Sequence, residues 1–203
     1  PPLLHGSLAN GKVPNYHAIK GTEVWGLIFD PGAAEEVVGT QTFLEYLQQV
    51  IWPKGLNFAK VQQRGSTVFT GIDGLPLKSA LRASVPIDLG PIQLQFETDT
   101  IGGSGARCPF LLSNKTARRR KMIAFFEHFD NGDGLLIIPN LYKQTVGIRM
   151  LLTDSGHYLI PIDHGFDRNN PRLQKTLLVD TAKELHDSAQ QCASFLLAAS
   201  TDN

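Results

Sequence analysis

One segment of the chain joins a reactive group to a backbone suited to present it: Leu27-Ile28-Phe29-Asp30-Pro31-Gly32-Ala33. A short apolar run ending in a carboxylate reads as a buried strand with Asp30 at its C-terminal end, and Gly32 lets the chain turn sharply behind it. Two such loops, from two lobes or two subunits, would bring a pair of carboxylates within about 3 Å, where both cannot ionise. The pair then activates a water for attack on a peptide carbonyl, each carboxyl serving as acid or base in turn. Asp-Pro-Gly is also ordinary turn chemistry, so the motif by itself fits a plain strand and turn as well.

Other residues offer less. Asp154-Ser155-Gly156 follows Leu151-Leu152-Thr153 and has the outline of a second carboxylate loop, but His157-Tyr158 comes next where a small residue is needed. It reads as a hairpin turn. Five basic side chains, Lys115, Arg118, Arg119, Arg120 and Lys121, fall within seven positions. They read as a solvated helix face, with an RNA or nuclear-targeting role as the sharper alternative. Gly102-Gly103-Ser104-Gly105-Ala106 lacks the following helix of a serine nucleophile elbow. Asp154, His157, Asp163 and His164 have no helical spacing that would make a metal site. Asp130-Asn131-Gly132-Asp133-Gly134 lacks the closing acidic residue of a calcium loop and reads as a turn.

The elements that must position Asp30 are mostly strands. Val24 to Phe29 is the strand before the loop, and Thr40 opens a helical segment whose Phe43, Leu44, Leu47, Val50 and Ile51 share one face before Pro53 and Gly55 close it. From Phe58 to Ile138 the texture is β: Thr67 to Phe69, Leu81 to Ile87, Ile92 to Phe96 and Leu135 to Ile138 are strand-length runs separated by glycine-rich turns. Asn114 is the expected cap of one short basic helix. Val146 to Leu152 and Tyr158 to Ile162 form a strand pair, and a long amphipathic helix starts at Pro171.

Taken together, the motifs resemble the retropepsin family, the aspartic proteases of retroviruses and of LTR-retrotransposon Gag-Pol polyproteins. Phe29 to Ala34 looks like the family's catalytic loop, and Phe69-Thr70-Gly71-Ile72-Asp73-Gly74 is placed like its flap, a hairpin that closes over substrate. Cys108 to Ser113 is similar to the apolar strand before the family's helix, and Ile123 to Ile138 to the hairpin after it. Ser155 to Pro161 resembles a segment found just after such proteases in retrotransposons. The resemblance covers residues 23–162. It implies a mainly β, closed-barrel fold with one short helix, a homodimer, and one catalytic aspartate per subunit at Asp30. Pro31, Gly32 and Ala33 would complete the catalytic loop, and Gly71, Ile72, Asp73 and Gly74 would bind substrate. The implied substrate is an extended peptide, most simply the polyprotein carrying the enzyme, with no metal and no organic cofactor. One departure is Pro31, where the family usually has a Thr or Ser whose hydroxyl bonds across the dimer; another is Ser113, where it often has Gly. Two alternatives follow: a catalytically dead dimerisation or peptide-binding module, and a single-chain protease pairing Asp30 with Asp154.

Composition sets the outer bounds. The chain has 203 residues, about 1.35 domains at roughly 150 each. That is short for two complete aspartic-protease lobes, which favours a dimer. The expected layout is an arm at 1–22, a protease domain at 23–140 and a C-terminal extension at 141–203. Nineteen basic residues balance nineteen acidic ones, against a dedicated nucleic-acid binder. Two cysteines exclude a disulfide scaffold and a four-thiolate zinc site, and no apolar run approaches the roughly 20 residues of a membrane helix. With no secretory signal visible, the expectation is a soluble intracellular protein, in the cytoplasm or in retroelement particles.

Overall fold

The computed structural model describes residues 17–61, 67–70, 76–89, 92–103, 106–141 and 144–163. Gly71, Ile72, Asp73 and Gly74, Ser104, His164, most of the 1–22 arm and the helix expected from Pro171 lie outside the described residues.

Apolar β-formers and closely spaced turns make the described chain mainly β. It opens with β1 (Ala18–Ile19) and β2 (Thr22–Glu23), then β3 (Gly26–Asp30), the strand that carries Asp30. β4 (Val37–Gly39) leads into α1 (Thr40–Tyr46), extended by a π-helical turn at Leu47–Ile51 and a 3-10 turn at Trp52–Lys54. Gly55, at φ 69°, supplies the left-handed residue that stops this helical run. Phe43, Leu47, Val50 and Ile51 face inward as their spacing predicts, whereas Leu44 is 41% exposed. Tyr46 is buried on that helix, and its hydroxyl donates to the Pro86 carbonyl oxygen.

Next come β5 (Ala59–Lys60), β6 (Val68–Thr70), β7 (Pro76–Leu89), β8 (Ile92–Ile101), β9 (Phe110–Ser113) and α2 (Asn114–Arg119). The chain continues through β10 (Ile123–Phe125), β11 (Gly134–Leu141), β12 (Gln144–Leu152) and β13 (Tyr158–Pro161). A six-stranded, half-barrel sheet runs β10-β11-β12-β13-β3-β9, and a second sheet runs β4-β8-β7-β5 with β6 also on β7. Among the described residues the strands form these two open sheets and the separate β1–β2 hairpin, not one closed path as a barrel would.

The main core lies between them. Leu27, Leu112, Leu136, Ile148 and Ile160 from the first sheet meet Val85, Ile87 and Phe96 from the second, with α1 sealing one end. Phe110 is fully buried and makes edge-on contacts with Tyr46 and Phe96. β12 and β13 sit between β11 and β3, so the sheet that carries Asp30 continues past the boundary expected at 140. The end of the expected arm is also tied down. Val24 N–H donates to the His17 carbonyl oxygen, and Asp154 N–H donates to that of Ala18.

Candidate active site

β3 is flanked on both sides, antiparallel to β13 (Ile28 opposite Leu159) and parallel to β9 (Asp30 opposite Ser113). A strand paired on both edges and buried on both faces reads as an unbroken apolar run, which explains Leu27-Ile28-Phe29. Its two-residue period separates two environments. Leu27 joins the main core, and Phe29 packs against it. Ile28 enters a smaller cluster with Val24, Val37, Ile101, Leu111 and Leu159, against which Ala33, Phe69 and Cys108 pack. Alternation puts Asp30 on the Ile28 side, half-buried at the strand's end.

The loop behind Asp30 is a hydrogen-bonded turn. Ala33 N–H donates to the Asp30 carbonyl oxygen at 3.1 Å, and Gly32 N–H donates to Asp30 Oδ1 at 2.8 Å. Proline at the second position of such a turn has its φ preset. Pro31 therefore costs no local bond, because both N–H groups used belong to Gly32 and Ala33. The Gly32 position is tight: a Cβ there would lie 3.2 Å from Asp30 Oδ1. The Ala33 carbonyl oxygen accepts from Asn114 N–H, fastening the loop to the start of α2.

Ser113 organises that junction. Its backbone is extended, and its fully buried hydroxyl accepts from Thr116 N–H at 3.2 Å and donates to the Glu36 carboxylate at 2.5 Å. Ser113, not Asn114, is thus the cap of α2; Asn114 is already in the helix. Glu36 is itself buried and precedes β4, so one hydroxyl joins the Asp30 loop's exit to the end of its neighbouring strand.

Asp30's charge is felt by two side chains. Burial pushes the Cys108 thiol up to about 12, and the Asp30 carboxylate adds to that push. Burial lowers His157, and Asp30 acts in the opposite direction. The Cys108 thiol thereby stays protonated at neutral pH. Phe69 of β6 packs against the same small cluster as Ile28, and β6 pairs antiparallel with β7, Thr70 opposite Pro76. Phe69 therefore sets the arm that precedes Gly71 on Asp30's side of the sheet. On the other face, the Phe29 ring lies 6.2 Å from Phe126, which lies 5.1 Å from Tyr158.

The remaining candidates divide clearly. Both carboxylate oxygens of Asp154 are occupied, accepting from Lys20 N–H at 2.7 Å and Gly21 N–H at 3.0 Å, and these bonds lower its pKa. It clamps the β1–β2 hairpin. Asp133 is buried and structural too, accepting from Arg149 Nε, Asn131 and Leu152 N–H across β11 and β12. Residues 106–109 enter β9 without a helix, so no elbow follows Ser104. Among the described residues no three His, Cys, Asp or Glu side chains gather as metal ligands, and no helix is long and apolar enough to cross a membrane. The basic cluster is exposed on and just beyond α2, where Lys115, Arg118 and Arg119 share an open cleft with Pro31 to Ala34. Sequence reasoning missed that adjacency, which the parallel pairing of β3 with β9 creates. No family model, curated protein or solved structure matches the chain.

Proposed function

We propose that the chain is an aspartic endopeptidase of the retropepsin type, acting as a homodimer in which Asp30 of each protomer flanks the nucleophilic water. The observation that carries this reading is the presentation of Asp30. It ends a strand paired on both sides, its Oδ1 is fixed by Gly32 N–H, and it lies on the face reached by Phe69 beside the 71–74 segment. One such loop per chain supplies half of a carboxylate pair, so a second copy completes the site. Substrate would lie extended across the Asp30 face and add as a strand, with residues 71–74 covering it. The protein's own polyprotein is the simplest substrate, and retroelement particles in the cytoplasm are the corresponding setting.

The dead-module reading rests on Pro31, which lacks the hydroxyl that would lock two loops together. The intact turn favours activity over that reading, and the engagement of Asp154 by Lys20 and Gly21 disfavours the single-chain pairing. Hydrolysis of extended peptides at about pH 4 to 7, compared among wild type, Asp30→Asn and Asp154→Asn, tests the proposal. Loss with Asp30→Asn alone supports it, whereas a wild type inert to every peptide supports the dead module. Pro31→Thr should raise activity or dimer affinity if the missing hydroxyl matters.

A further inference from the structure

The two sheets do not close completely on one another. They leave a cavity of about 280 Å³, walled by Leu27, Leu112 and Ile160 on one side and by Ile87, Leu94 and Phe96 on the other. Its apolar floor lies on the Leu27 face of β3, opposite to Asp30, and its rim shares Lys115 and Arg119 with the cleft beside Pro31 to Ala34. Its size places it near the lower limit of small-molecule sites. An apolar cavity of about 150 Å³ stays dry and takes up benzene, so by proportion this one holds a chain of about ten carbons.

The mouth of the cavity is polar, and its charges are unequally used. Glu35 pairs with Lys115, Glu97 pairs with Arg82, and Glu36 accepts from Ser113. Arg82 is further held by Asp99 at 2.8 Å. Two cations at the rim remain: Arg119, whose guanidinium donates to the Thr116 hydroxyl at 3.5 Å, and Arg120. Among the described residues neither forms an ion pair, and both are exposed. A cavity with apolar walls from both sheets and two guanidinium groups outside any ion pair at its polar opening has the complement of a carboxylate on an alkyl tail.

We infer that the cavity between the sheets binds a free medium-chain carboxylic acid, with its alkyl chain between Leu27 and Phe96 and its carboxylate on Arg119 and Arg120. Titration calorimetry on the full chain, with hexanoate, octanoate, decanoate and dodecanoate below their aggregation limits, tests this. One acid should bind per chain, tightening about fourfold for each added methylene until the cavity is full near ten carbons. Replacing both arginines (Arg119→Gln with Arg120→Gln) should weaken decanoate about tenfold or more and leave 1-decanol unchanged. Leu94→Trp, from a half-buried wall position, should fill the cavity and abolish binding of both. The length series on the unaltered chain decides the matter even where a variant fails to fold. No binding, many acids per chain, affinity that ignores chain length, or decanoate binding indifferent to the two arginines would overturn the inference. Binding only to anionic phospholipid vesicles and not to the free acids would overturn it too.

Discussion

Ser113→Ala removes a hydroxyl with two separate duties, and its cost can be worked from each. The hydroxyl caps α2 by accepting from Thr116 N–H, and losing such a cap costs about 1 kcal/mol. It also donates to the Glu36 carboxylate, and a buried charged acceptor stripped of its donor costs about 2 kcal/mol. Ser113 is fully buried, so no water readily takes the hydroxyl's place. The sum, about 3 kcal/mol, should lower the melting temperature by roughly 6–12 °C in a chain of this size. The urea midpoint should fall with an unchanged slope. Because the two duties are separable, Glu36→Leu, which leaves no acceptor for the hydroxyl, gives an internal check. In the Glu36→Leu background Ser113→Ala should cost only the cap, about 1 kcal/mol, leaving a coupling of about 2 kcal/mol. A Ser113→Ala protein within about 0.5 kcal/mol of wild type, or an equal cost in both backgrounds, would refute the claim that this hydroxyl ties the Asp30 strand pair to the buried carboxylate.

Asp88 is buried, its Oδ1 accepts no hydrogen bond among the described residues, and burial raises its pKa from 3.8 to about 6. Its contribution favours folding below about pH 3.8 and is lost as pH rises through about 6, so Asp88→Asn should stabilise the protein by about 2–3 kcal/mol at pH 8 and hardly at pH 4, as urea melts at the two pH values would show. Asp154 has the opposite sign: its lowered pKa favours folding above the ordinary carboxyl range and less as pH falls. Asp154→Asn should loosen the β1–β2 hairpin, raising amide exchange at Lys20 and Gly21 at neutral pH, while peptidase activity persists. Gly32→Ala places a methyl 3.2 Å from Asp30 Oδ1, so peptide hydrolysis should fall about tenfold or more while the melting temperature changes little.

What the sequence made legible was local. The run from Leu27 to Phe29 announces a strand because β3 is enclosed on every side, and the glycines after it announce the turn. The helical run from Thr40 was readable as far as Gly55, although Leu44 departs from its stripe. The cap of α2 was misplaced by one residue because Ser113 and Asn114 are both good caps. The choice falls to Ser113, the last residue of β9, still extended opposite Asp30, with the helix beginning immediately after it. Pairings over long distances left no local trace. Nothing near Ser113 points to Glu36, which lies 77 residues away, and nothing in Tyr158 to Pro161 says that this strand takes the seat beside β3. For the same reason the break expected at 140 cuts across a sheet that continues, and the basic cluster was visible as a helix face but not as a neighbour of the Asp30 loop.

The central claim is that two protomers each contribute one Asp30 to a single site, and subunit mixing measures it most directly. Wild type and Asp30→Asn protein, allowed to exchange subunits at fixed total concentration, would be assayed on a fluorogenic extended peptide while mass in solution confirms the dimer. If both aspartates are needed in one site, activity follows the square of the wild-type fraction and falls to about one quarter in an equal mixture. An equal mixture that keeps half its activity, or an Asp30→Asn protein that still hydrolyses peptide, would contradict the account.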